Sequence, residues 1–210
     1  MYIQITTKCQ MKCAHCCMSA TRKGEDMAWE TFKAAVDQDE YPGLGGGEPT
    51  LHPQFEKFLF YAIGKCESVW LATNGGITDT ALVLARLAQR GVIAADLSQD
   101  PWHDEIDPKV VEAFTKPVDH GPYDARNIRR VSGNVIRQGR AARRDFDGLA
   151  NDGCVCEDFF VKPDGTVRQC GCPKSPVIGD VFKGWKGLED RFGNRDMACY
   201  KTCKKSAKAA

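Results

Sequence analysis

The stretch Tyr2-Ile-Gln-Ile-Thr-Thr-Lys-Cys9-Gln-Met-Lys-Cys13-Ala-His-Cys16 decides how the chain is read. Tyr2-Ile-Gln-Ile-Thr6 is an apolar, strand-like run, and a CxxxCxxC triplet follows it directly. Three thiolates at this spacing can hold three irons of a [4Fe–4S] cube, and the loop has no fourth cysteine at a fitting distance. One iron would then keep an open coordination position, as catalytic metal sites do and closed structural sites do not. Taken alone, the triplet also suits a zinc knuckle or free thiols.

Beyond the loop, helix and strand patterns alternate. Met27–Gln38 has helical spacing through Phe32, Ala35 and Val36, and Tyr41–Leu44 reads as a short strand. Phe55–Ile63 is an apolar helix, and Ser68–Asn74 is a buried strand closed by Gly75-Gly76. Thr78–Arg90 is a helix stopped by Gly91, followed by a strand over Val92–Ser98. Pro108–Phe114 is a short helix and Asn127–Val131 a further strand. Strand–helix units at this spacing imply parallel strands with right-handed crossovers. A parallel barrel presents its chemistry at the C-terminal ends of the strands. The loops of interest fall there: Cys9–Cys16, Gly45–Pro49, Asn74-Gly75-Gly76 and Ser98-Gln99-Asp100. Only five convincing strands precede Cys154, where the cysteines resume.

The second motif is Gly45-Gly46-Gly47-Glu48-Pro49-Thr50-Leu51-His52-Pro53. Adjacent glycines let a backbone approach a ligand without a Cβ in the way. Glu48 offers a carboxylate to an ammonium group, and Pro49 stiffens the turn. CxxxCxxC followed by this turn resembles the radical S-adenosylmethionine (SAM) enzymes. The resemblance implies a [4Fe–4S] cluster on Cys9, Cys13 and Cys16. Its open iron would chelate the amino and carboxylate groups of SAM, with Gly46, Gly47 and Glu48 holding the ammonium. His15 stands where the family usually has an aromatic beside the adenine, and imidazole can stack there too. Asn74 joins the expected SAM contacts, and Cys17 reads as a bystander. The family's fold agrees with the α/β alternation. The expectation is therefore a partial (β/α)6 TIM-like barrel over residues 1–148, truncated if no sixth strand forms.

At the fourth strand, Ala95-Asp-Leu-Ser98-Gln99-Asp100-Pro-Trp-His103 resembles the position that contacts SAM's ribose, so Ser98 or Asp100 is the candidate. His103 reads as a solvent-facing loop residue, with a proton donor in the pocket as the other reading. Arg126, Arg129, Arg130, Arg137, Arg140, Arg143 and Arg144 form a run of seven arginines without an acidic residue. Such a run suits an anionic partner (a phosphate, a carboxylate or a nucleic acid), a solvated face, or barrel-edge residues bonding SAM's carboxylate. Arg137 and Arg140 are the candidates for the last role, and nucleic acid is the less favoured partner. Gly139-Arg140-Ala141 resembles the turn that often leads into the C-terminal cluster domain of radical SAM enzymes.

Cys154, Cys156, Cys170, Cys172, Cys199 and Cys203 lie in the final stretch. Between them, Phe159-Phe160-Val161-Lys-Pro163-Asp-Gly165-Thr-Val167 reads as a β-hairpin turning at Pro-Asp-Gly. The spacing from Cys154 through Gly165 to Cys170 resembles the SPASM/twitch extensions of radical SAM enzymes, as do Ile178-Gly179-Asp180-Val181 and a helix around Trp185–Phe192. A full SPASM motif is denser in cysteines, so the resemblance implies a twitch-type hairpin-and-helix domain over 149–210 with one auxiliary [4Fe–4S] cluster. Cys154, Cys170, Cys199 and Cys203 are its expected ligands, with Cys156 and Cys172 as alternates. A structural zinc is the other reading. However, the Cys154/Cys156 and Cys170/Cys172 pairs are too close to serve one tetrahedral ion together. Cys66, on a predicted helix, reads as a core thiol.

Composition agrees with a metalloenzyme. At 210 residues and 42% hydrophobic content, the chain suits one domain with a sizeable core, or a domain plus a small appendage. Eleven cysteines without a signal peptide point to metal ligation in the reducing cytoplasm, not to disulfides. No apolar run approaches the roughly 18 residues of a membrane span, so no membrane partner is expected. A net charge of +1 says little about partners. The resemblance implies a one-electron donor of flavodoxin or ferredoxin type, reductive cleavage of SAM to a 5′-deoxyadenosyl radical, and hydrogen abstraction from a substrate. It further implies peptide or protein modification, with a nucleotide, a nucleic-acid base or a small metabolite as alternatives. No leader-binding domain is expected alongside these two units. A non-catalytic iron–sulfur electron carrier would have no use for the glutamate.

Overall fold

The alternation of short apolar strands with amphipathic helices builds a half-open parallel sheet covered by helices. The computed structural model describes residues 1–117, 124–129, 139–143, 158–171 and 175–185. Its first part runs β1 (Tyr2–Thr6), α1 (Trp29–Val36), β2 (Gly43–Gly46), α2 (Phe55–Lys65), β3 (Trp70–Thr73) and α3 (Thr78–Gln89). It continues with β4 (Ala94–Ser98), α4 (Pro108–Thr115) and β5 (Arg126–Arg129). The second part holds β6 (Phe160–Val161), β7 (Thr166–Arg168), β8 (Val177–Asp180) and β9 (Gly184–Trp185). One sheet contains all nine strands in the order β5-β4-β3-β2-β1-β6-β7-β8-β9. Strands β1 to β5 are parallel, as the periodicity predicts, and form the partial TIM-like barrel that the family resemblance implies.

The core forms where helix stripes meet the strands. Phe32, Ala35 and Val36 of α1, Phe58 and Ala62 of α2, and Leu84, Ala85 and Ala88 of α3 are buried with Ile3, Ile5, Leu44, Leu71 and Leu97. Phe32 stacks on Phe58 with ring centroids 4.0 Å apart, locking α1 against α2. Burying each of the larger apolar side chains stabilises the fold by about 1.5–3 kcal/mol. Helix α4 begins as its sequence directs. Asp107 caps it by accepting from Lys109 N at 2.9 Å, and Pro108 occupies the first turn.

Three features differ from the sequence expectation. Strand β2 starts later than Tyr41 and runs into the glycines, ending at Gly46. Within this strand Gly45 must be glycine, because a Cβ there would sit only 1.9 Å from the hydroxyl of Tyr2. Trp185 belongs to β9, paired with Gly179, and does not open a helix; residues beyond 185 lie outside the described residues. The hairpin β6–β7 turns at Pro163-Asp164-Gly165 as expected, with Gly165 at φ +86°. Its β6 then adds in parallel to β1, pairing Tyr2 with Phe160, so the hairpin continues the barrel sheet. Cys66 ends α2, half-buried against the core, with its thiol donating to Asp39 O at 3.4 Å. No helix among the described residues is long and apolar enough to cross a membrane.

Candidate active site

A cavity of about 530 Å³ opens at the C-terminal ends of the parallel strands. The loop after β1 contributes Cys9, Cys13, His15 and Cys16, and the β2 turn contributes Gly46, Gly47 and Glu48. Asn74 comes from the end of β3, Ser98 and Asp100 from β4, and Arg129 from β5. Every described motif loop that the sequence singled out therefore reaches one space.

Cys9 and Cys13 are each 8% exposed and Cys16 is half-buried. Burial pushes the Cys9 thiol up and the Cys13 thiol to about 12, with neighbouring sulfurs adding to both. Metal ligation must therefore displace protons that the pocket itself retains. Asn74 Nδ2 donates to Cys9 Sγ at 3.5 Å, and Asn74 Oδ1 accepts from Gln10 Nε2 and Gly76 N, both at 2.9 Å.

Glu48 is buried beneath this loop. Its Oε1 accepts from Thr50 Oγ1 and Thr73 Oγ1, both at 2.7 Å, and from Thr50 N at 3.3 Å. Its Oε2 accepts from Asn74 N at 2.7 Å and is the less occupied oxygen. Burial raises the carboxyl's pKa against the pull of these donors. A cation arriving in the cavity would reverse that shift. The glycines beside it serve packing before any ligand. A Cβ on Gly46 would lie 2.1 Å from Thr6 O, and one on Gly47 would lie 2.1 Å from Lys8 O. Both clashes are with backbone, which cannot step aside.

At the other end of the cavity, Asp100 lies between two imidazoles. His103 Nδ1 is 2.9 Å from Asp100 Oδ1, and His15 Nε2 is 3.4 Å from Asp100 Oδ2. His103 is thus a cavity residue with a side chain only 12% exposed, not the solvent-facing residue the sequence suggested. His15 packs near Trp102 and His103, with centroids 5.1 and 5.0 Å away. Burial lowers its pKa more than Asp100 raises it. His15 Nδ1, Asp100 Oδ2 and His103 Nδ1 are buried without a well-directed hydrogen bond. Polar atoms orphaned in this way require a partner. Ribose hydroxyls and a purine edge can supply donors and acceptors there, so the residues fit the adenosine part of SAM. The same three side chains are also close enough to share a divalent ion.

The arginine run divides. The Arg126 side chain bonds Asp124, Ala113 O and Lys116 O, tying β5 to the end of α4. Arg129 and Arg140 line the cavity. Arg140 spends Nε on Cys13 O at 3.0 Å and Nη1 on Ala20 O at 2.5 Å. Arg143 is exposed. Arg130, Arg137 and Arg144, and Cys154, Cys156, Cys172, Cys199 and Cys203, lie outside the described residues. Cys170 is buried, its N–H donating to Ser175 Oγ at 2.9 Å, and the adjacent Gly171 lines the cavity. Sequence reasoning missed Tyr2, Trp70, Arg129 and Phe160 as cavity residues, and Thr73 as a partner of Glu48. Only their places at or near strand ends signalled them.

Comparison with known proteins follows the same lines. The chain is 30% identical over 103 residues to the mycofactocin maturase MftC of Mycobacterium tuberculosis, matching 46% of this chain and 26% of that protein. It is 31% identical over 108 residues to the tungsten-containing aldehyde ferredoxin oxidoreductase cofactor-modifying protein of Pyrococcus furiosus, 48% of this chain and 30% of the other. These matches thus span under a third of either relative's length. The solved structure of native anSMEcpe with bound AdoMet and Cp18Cys peptide shares the fold, with a TM-score of 0.56 at 14% identity over 86% of this chain and 76% of that one. Residues 3–134, which hold the cysteine triplet, Glu48, Asn74 and Asp100, match the model of the Radical SAM superfamily, and the chain belongs to that superfamily.

Proposed function

We propose that the chain is an enzyme that cleaves SAM reductively and abstracts hydrogen from a peptide or protein substrate. The observation that carries this reading is the convergence of Cys9, Cys13 and Cys16 with the buried carboxylate of Glu48 in one cavity. Cys9, Cys13 and Cys16 would hold the cluster, which when bound would supply the one-electron reduction that cleavage of SAM requires. Glu48 Oε2 holds the ammonium of SAM, and Thr50, Thr73 and Asn74 keep the carboxylate aimed at it. His15 stacks beside the adenine, and Asp100, with Ser98 nearby, receives the ribose hydroxyls.

Peptide modification is supported by two neighbours, a maturase and a peptide-bound structure. The cofactor-modifying relative favours a small metabolite as the second reading. A nucleic-acid substrate is weaker, since Arg126 and Arg140 are committed to internal bonds. Residues 149–210 are proposed as a twitch-type unit with an auxiliary [4Fe–4S] cluster on Cys154, Cys170, Cys199 and Cys203. The buried Cys170 beside the cavity supports placing it near the substrate. A flavodoxin- or ferredoxin-type donor and a cytoplasmic setting complete the proposal. Anaerobically reconstituted protein with dithionite should convert SAM to 5′-deoxyadenosine and methionine. The Cys9→Ala/Cys13→Ala/Cys16→Ala variant should not, and persistent cleavage in that variant would overturn the assignment.

A further inference from the structure

We infer that Gly139 and Arg140 form a clamp that holds the cysteine loop in its cluster-binding shape, making Arg140 a positioning residue for the cluster and not a ligand of SAM. The inference rests on the reading of Cys9, Cys13 and Cys16 as cluster ligands. Although Arg140 belongs to the basic run, its guanidinium turns inward. Nε donates to Cys13 O at 3.0 Å and Nη1 to Ala20 O at 2.5 Å, while the Arg140 backbone N–H donates to Cys16 O at 2.9 Å. Cys13 and Ala20 lie on the two limbs of the loop, so one rigid fork ties the limbs together. A lysine ammonium has no such fork.

Gly139 supplies the other half. Its φ is +58°, and a Cβ there would lie 2.2 Å from Cys17 O and 2.7 Å from Cys16 O. Only glycine lets this turn press against those carbonyls. The loop carbonyls are thereby held by the clamp while the sulfurs line the cavity. Groups that orient metal ligands from behind are worth about 10–100-fold in metal affinity when removed. The guanidinium also fixes a positive charge on the backbone of the cysteine loop, at Cys13 O, and this favours the reduced cluster because iron–sulfur potentials follow local charge.

The test compares Arg140→Ala, Arg140→Lys and Gly139→Ala with the wild type, all reconstituted anaerobically. Iron loss to a chelator, the midpoint potential of the SAM-free cluster by EPR titration, and the Kd for SAM are measured. Arg140→Ala should lose iron about tenfold or more faster and show a more negative potential. Arg140→Lys should keep the potential near wild type yet still lose iron faster, since it restores charge without the fork. Gly139→Ala should lose iron faster at an unchanged potential. If Arg140→Ala fails to fold, the other two variants decide the matter. Wild-type iron retention in all the folded variants overturns the clamp. So does an Arg140→Ala protein whose only defect is weaker SAM binding, which returns the guanidinium to SAM's carboxylate. A wild type that takes up no iron overturns instead the cluster reading on which the clamp depends.

Discussion

Replacing Glu48 with glutamine separates the binding role of this carboxylate from its structural one. The side chain accepts from four donors, namely Thr50 N, Thr50 Oγ1, Thr73 Oγ1 and Asn74 N. In Glu48→Gln the amide can orient its oxygen toward Asn74 N, which is a backbone donor with no freedom to turn. Its NH2 then faces the two threonine hydroxyls, which rotate and accept. Thr50 N, whose contact with Oε1 is long at 3.3 Å, loses its acceptor, and the relieved desolvation of a buried charge offsets that loss. The fold should therefore change in stability by no more than about 1 kcal/mol. SAM binding should suffer far more. The ammonium loses a charge-assisted hydrogen bond worth about 1.5–3 kcal/mol, or about 10–150-fold in Kd. Glu48→Ala should behave differently, because it strands the same donors in a buried site at about 1–3 kcal/mol each. Thermal unfolding of cluster-free protein and calorimetric SAM titration of cluster-loaded protein give the two quantities separately. Glu48→Gln binding SAM as tightly as wild type would refute the ammonium assignment. Glu48→Gln as unstable as Glu48→Ala would refute the rotation argument.

Further outcomes can be measured directly. Because burial raises the Glu48 carboxyl and only its anion attracts an ammonium, SAM affinity should climb with pH through that raised value and then level off, a slope absent in Glu48→Gln. For the ligand-free fold the sign is opposite: a carboxyl raised on folding contributes stability at acid pH that is lost as pH rises through the raised value. Gly47→Ala should displace the turn from Lys8 O and lower cluster occupancy, read as iron per chain. Wild-type protein should bind about eight irons and the triple cysteine variant about four, whereas about four irons plus zinc in the wild type would favour a structural zinc in residues 149–210. Affinity for RNA or DNA should be weak, and Arg129→Ala or Arg143→Ala should leave its salt slope unchanged; a steep slope that falls by about one per arginine would revive the nucleic-acid substrate.

The fold class was legible because period-2 and period-3.6 patterns are local properties of the chain. Tyr2–Thr6, Thr78–Gln89 and Ala94–Ser98 announce themselves within their own residues. The cysteine triplet was equally legible, since three thiols so close in sequence can reach one metal centre whatever the rest of the chain does. Parallel topology then brought Glu48 and Asp100 to the same end of the sheet as that triplet, because every strand points the same way. Non-local geometry decided the rest. The pairing of β6 with β1 joins residues far apart in sequence through two backbone rungs that no side-chain pattern encodes. The glycine requirement at Gly46 and Gly47 looked like a ligand effect and is set by the carbonyls of Thr6 and Lys8. His103 looked solvated until the fold laid it against Asp100. Arg140 looked like part of a basic surface, and only the tertiary structure turned its fork onto Cys13 and Ala20, because a long side chain's direction depends on which carbonyls the fold leaves within its reach.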